Sequence, residues 1–179
     1  MKTKKSDAAM TAVIILWWAV VFLVAASVMP MTSYNADTKG LRVVPDILFA
    51  NAAVLGAVEE NRRRAGVSAL VAGVLCDIFL MPPLHMSPLL FAVCAYEIPR
   101  VFHHFGNKNA LSAAVSALPF FAARAVCGGI WLFSEHKGLA LGEALFGVLL
   151  PELLWNFIAA AVLYYPVYLG YRYCARRLS

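Results

Sequence analysis

Few residues in this chain could do chemistry, and those that could stand in apolar surroundings. Asp46, Asn51, Asp77, Glu97, Arg124, Glu152 and Asn156 each interrupt a hydrophobic run. A charged group at bilayer depth costs roughly 2.5–3.5 kcal/mol on insertion scales, so such groups face a bundle interior or a cavity and pair with one another. Their chemistry is charge pairing, interhelical hydrogen bonding or coupling to a ligand, not bond making. His85, His103, His104 and His136 fall in loops or at the ends of runs, without HxxxH or HExxH spacing, so no metal site is expected. The chain has no GxSxG, Walker or GxGxxG motif, and no Ser/His/Asp set can be assembled. Neither a catalytic centre nor a cofactor is expected. Cys76, Cys94, Cys127 and Cys174 form no CxxC pair and read as small buried hydrophobes.

The elements that must position these residues follow from composition. Of 179 residues, 62% are hydrophobic and 14% charged, with a mean hydropathy of +0.74. A soluble domain averages about 45–50% apolar and about 25% charged, and a chain this short must still cover its surface with polar groups. A soluble enzyme, a secreted disulfide scaffold and a disordered chain are excluded. What remains is a small all-α integral membrane protein, a single transmembrane domain of six helices. The runs predict spans at 8–29, 43–58, 65–81, 84–101, 110–133 and 149–171. Pro30 is expected to stop the first, ahead of a polar loop over 31–42. The last apolar region, from Leu139 to Tyr171, is too long for one straight span. Pro151 is expected to divide it, leaving a short interfacial helix over 139–149. Tyr164, Tyr165, Tyr168 and Tyr171 suit an interfacial belt.

Six spans alternate sides and allow the basic residues to be sorted. Eleven fall on the side of the N-terminus, including Arg62, Arg63 and Arg64, and three on the other: Lys39, Arg42 and Lys137. The positive-inside rule puts both termini in the cytoplasm. The net charge of +5 is thereby a matter of orientation. No segment interleaves basic and aromatic residues as a nucleic-acid surface would.

Helical rise gives the depth of the intramembrane charges. Arg124 is the deepest, about 10 residues or roughly 15 Å below the outer end of span five. Its long side chain can extend toward an outer carboxylate. Asp77 is the first expected partner and Asp46 the second; Glu152 also lies near the outer end. Such a pair could fix helix register alone or couple to a ligand. Glu97 sits three residues before Arg100 and reads as a local pair. Asn156 shares a face with Glu152 and is suited to interhelical hydrogen bonding. Ala65, Ala69, Ala72, Gly73 and Cys76 form a small-residue stripe along span three. It permits close helix approach, either within the bundle or by a partner's helix.

Several segments then look familiar in their order. PDIL (Pro45 to Leu48) opens span two, ENRRRAG turns the chain, and AGVLCDIF (Ala72 to Phe79) ends span three. PLLFAVCAYEIP lies in span four, and the last span carries Tyr165-Pro166 ahead of an Arg-rich tail. This order resembles the bacterial rod shape-determining MreD family, most closely from Val43 to Val101. The outer turn, MPPLHMS, departs from a Gly/Ser-rich turn. The resemblance implies a non-enzymatic scaffold of the cell-elongation machinery in the cytoplasmic membrane. It implies association with the bitopic protein MreC. In a larger complex it implies the filament protein MreB and the glycosyltransferase and transpeptidase that build peptidoglycan. It also implies a six-helix fold like the substrate-binding subunits of energy-coupling-factor (ECF) vitamin transporters, which supplies the alternative function. The residues expected to bind a partner or form a buried polar site are Pro45, Asp46, Ala69, Gly73, Asp77, Arg124, Glu152 and Asn156.

Overall fold

A computed structural model describes residues 2–32, 34–36, 41–43, 46–79, 87–105, 107–135 and 141–178. Helix α1 spans Lys2–Thr32 and is followed by a short antiparallel hairpin, β1 (Tyr34–Ala36) with β2 (Leu41–Val43), in register Asn35↔Arg42. Then come α2 (Ile47–Val58), α3 (Arg62–Phe79), α4 (Ser87–Phe102) and α5 (Ala110–Glu135). The chain ends in α6 (Leu141–Ala144), a π-helical turn over Leu145–Leu149, and α7 (Leu150–Leu178). Among the described residues, three stretches have the length and hydropathy to cross a bilayer: Asp7–Ser27, Ala110–Ile130 and Leu145–Arg177. The chain is an α-helical membrane protein.

The short helices lie between the long ones. At 1.5 Å per residue, α2, α3 and α4 are about 18, 27 and 24 Å long, against a hydrocarbon core of about 30 Å. The expected span over 43–58 is helical only from Ile47, because Asp46 caps the helix and ends it there: its Oδ1 accepts from the Phe49 N–H at 2.9 Å. Helix α2 is nonetheless the centre of the molecule. Every residue from Leu48 to Gly56 is buried. It packs against α1, α3, α4, α5 and α7. Phe49 meets Phe91 of α4 and Phe121 of α5, with ring centroids 5.1 and 5.8 Å apart. Gly56 lets α4 come to backbone contact, since a Cβ there would stand 2.8 Å from the Ala95 Cα.

The small-residue stripe of α3 is used inside the chain. Ala65, Ala69, Ala72, Gly73 and Cys76 are all buried, and α3 makes its most extensive packing with α4. A Cβ on Gly73 would lie 2.6 Å from the Pro88 Cα. The opposite side of α3 is apolar and exposed, with Val67, Val71, Val74 and Ile78.

Prolines interrupt less than their type suggests. Helix α1 continues through Pro30 to Thr32; in a last turn a proline forfeits only one hydrogen bond. No separate interfacial helix is cut off at Pro151, for the chain is helical from Leu141 to Leu178. In a regular helix the Pro151 ring would press on the carbonyl of Gly147. The π-helical turn just before it, closed by the Leu150 N–H on the Leu145 oxygen, widens the helix there and relieves that contact. The loop over 31–42 holds the β hairpin, and β2 lies against the π-helical turn.

Candidate functional site

The helix α2 is anchored by a polar group at its start, its middle and its end. At its start Asp46 is fully buried and makes three kinds of bond. Besides capping α2, its Oδ2 faces Arg124 Nε of α5 at 3.3 Å. Its own N–H donates to Asn156 Oδ1 of α7 at 2.8 Å. Asp46, Arg124 and Asn156 are each at least 96% buried. Glu152, one turn before Asn156, is near enough to act electrostatically on both Arg124 and Asp46. Among the described residues the site thus brings one cation together with two carboxylates, and three helices meet at it.

In the middle of α2, Asn51 accepts a hydrogen bond from Trp17 Nε1 of α1 at 2.8 Å. At its end, Glu59 is a second hub. Its Oε1 accepts from Arg64 Nη2 at 2.9 Å, the Asn61 N–H at 2.9 Å and the Tyr171 hydroxyl of α7 at 3.1 Å. Arg64 also reaches Asp7 of α1 at 3.5 Å. Burial lowers the pKa of the Arg64 guanidinium, but the Glu59 hydrogen bond and charge outweigh it and hold the group above its ordinary value. A buried carboxylate is tolerable only when hydrogen-bonded and paired in this way.

The structure gives the Arg124 pair to Asp46, the second of the two expected partners. Asp77 stands apart, with its Oδ1 buried and without a hydrogen-bond partner among the described residues. Asp46, Arg124, Glu152 and Asn156 therefore come together, while Asp77, Ala69 and Gly73 do not join them. Gly73 faces α4 within the chain, and Ala69 is fully buried. Pro45 lies outside the described residues, as do His85, His136 and the turn containing Pro82 and Pro83. Glu97 and Arg100 form an exposed pair three residues apart on α4. The tyrosines of α7 split between two roles. Tyr165 is exposed, whereas Tyr164 is buried and stacks on Tyr168, and Tyr171 turns inward to Glu59.

Sequence reasoning missed the Glu59 hub. In EENRRR a glutamate reads as a solvated turn residue, and nothing local reveals that Tyr171 comes to meet it. Trp17 shows a weak signal, since an indole N–H deep in an apolar run needs an acceptor.

A family model for the rod shape-determining protein MreD matches residues 9–174. The chain belongs to the MreD family. The match takes in all of α2 to α5 and most of α1 and α7, and with them every anchor of α2 except Asp7. Membership in the MreD family makes this a membrane protein of rod-shape determination. No curated protein and no solved structure matches the chain. The expected likeness to ECF substrate-binding subunits, and the vitamin-transport alternative that came with it, are without support.

Proposed function

We propose that this protein is a non-enzymatic scaffold subunit of the elongation machinery, binding MreC and helping to organise peptidoglycan synthesis. MreB and the glycosyltransferase–transpeptidase pair belong to the same larger complex. The observation that carries the reading is the MreD family match across nearly the whole chain. The fold is in keeping with it. A central helix bonded to its neighbours at three levels makes a stiff body, and a stiff body presents a fixed surface to other membrane proteins.

The protein sits in the bacterial cytoplasmic membrane as one transmembrane domain of six spans, with both termini in the cytoplasm. The eleven-to-three partition of basic residues supports this orientation.

The test is purification of the tagged full chain from its native membrane in mild detergent, together with depletion of the protein. Recovery of MreC and cell-wall synthases, with depleted rods becoming round or lysing, is the expected result. Recovery of an ATPase module, with shape kept but a vitamin requirement gained, would replace the reading by transport.

A further inference from the structure

Three adjoining cavities surround the first half of α3. An apolar groove of about 580 Å³ runs between α1 and α3, past Trp18, Phe22, Val71 and Leu75, and ends at Arg64. A second, of about 420 Å³, lies on the other flank of α3 against α4, past Leu70 and Val93, and ends at Arg63, Tyr96 and Glu97, the last paired with Arg100. A polar cleft of about 560 Å³ connects the two ends. It shares Arg64 with the first groove, and Arg63 and Tyr96 with the second.

The cleft sets Arg62, Arg63 and Arg64 against Asp7 and Glu60, with Glu59 bonded to Arg64 beside it. Arg64 is committed to Glu59 and Asp7. Arg62 and Arg63 make no side-chain ion pair among the described residues. Exposed Arg63 and half-buried Arg62 therefore stand at the junction of two apolar grooves. Each cavity falls within the roughly 300–1,000 Å³ typical of small-molecule sites.

We propose that this is the seat of one anionic diacyl phospholipid, its phosphate at Arg62 and Arg63 and its two acyl chains in the grooves flanking α3. The shape argues for this occupant: one cleft that holds two arginines outside any ion pair among the described residues leads to two apolar grooves, as one headgroup leads to two chains. A partner's apolar helix would fill one groove and leave the cleft without a counterpart. A free phosphate would use the cleft and neither groove. Basic pockets beside membrane helices are suited to anionic headgroups. The inference requires only that α3 meets a bilayer, so it stands or falls apart from the assembly proposed above.

The experiment titrates the lipid-depleted full chain, in detergent, with phosphatidylglycerol or phosphatidylcholine and counts bound lipid by native mass spectrometry. One phosphatidylglycerol is expected to bind in preference to phosphatidylcholine. Arg62→Gln with Arg63→Gln should weaken it roughly 25-fold, while Lys at both positions should largely restore it. Ala19→Trp and Ala92→Trp, each placing bulk in one groove without changing charge, should also weaken it. Unaltered elution on size exclusion shows that each variant is folded. Equal binding of the two lipids would overturn the proposal. So would groove variants that bind like the parent, which would mean unseated electrostatic attraction. Displacement by millimolar inorganic phosphate would assign the cleft to a free anion, and protection of the grooves only when a second protein co-purifies would assign them to a partner helix; either overturns it.

Discussion

Asp46 holds three helices with one side chain and one backbone N–H. Its carboxylate caps α2 and faces Arg124, and its amide is taken up by Asn156. Breaking a buried pair by deleting one member leaves the other charge stranded, at about 3–5 kcal/mol. Arg124→Ala and Asp46→Ala should each lower thermal stability in detergent by that order. The double variant should fall short of the sum by about 0.5–3 kcal/mol. Asp46→Asn separates the two duties of the side chain. Asparagine caps a helix as well as aspartate does, so this variant should keep the cap, lose the charge and be milder than alanine. Arg124→Ala combined with Asp77→Ala should be additive within about 0.5 kcal/mol. A coupled Asp77 and an additive Asp46 in the same melts would reverse the assignment. The buried charges were legible in the sequence because an ion in an apolar run must find a partner, and helical rise gives its depth. The choice of partner was not. Depth alone ranks Asp77 and Asp46 together, whereas the cap at the start of α2 is what fixes the Asp46 carboxylate in place.

At the scale of elements, close approach between α3 and α4 depends on Gly73. Its missing Cβ would meet the backbone of Pro88 at 2.6 Å, and backbone cannot turn aside as a flexible side chain can. Gly73→Ala should destabilise by roughly 1–3 kcal/mol, as overpacking does. Gly73→Leu should stop the protein accumulating. Immunoblots of membranes beside MreC pull-downs check this: accumulated Gly73→Leu protein that fails only to capture MreC would move the stripe to an external interface. The stripe itself was plain in the sequence, since alanines and glycines recurring at helical spacing signal close packing. Which helix it packs against was not, because a small residue is equally suited to α4 or to a foreign helix. Pro151 misled for a related reason. Proline chemistry predicts a break, and only the neighbouring π-helical turn, closed between Leu150 and Leu145, shows how the helix passes through it.

For the whole molecule, the long helices were readable from hydropathy and the short central one from little more than its polar interruptions. The proposed orientation predicts that a cysteine probe near Asn35 is labelled from outside intact cells. A probe near Arg63 should require permeabilisation; the reverse pattern would invert the topology. The burial of α2 also bears on how the chain is made. This helix is about 18 Å long and carries Asp46 and Asn51 in its buried surface, so it is poorly suited to lipid alone. Trp17 has already been synthesised when Asn51 emerges, but Arg124 comes 78 residues after Asp46, Asn156 comes 110 residues after it, and Tyr171 comes 112 residues after Glu59. At about 5–20 residues per second, the wait for Asn156 is roughly 5–20 s. Throughout that interval the nascent chain holds an unsatisfied helix that must be sheltered by the insertion apparatus or by its own first helix. A chain truncated after Phe102 should therefore be cleared by membrane proteases within a pulse-chase in which the full chain persists. The last helix to be translated would be the one that releases the protein from quality control.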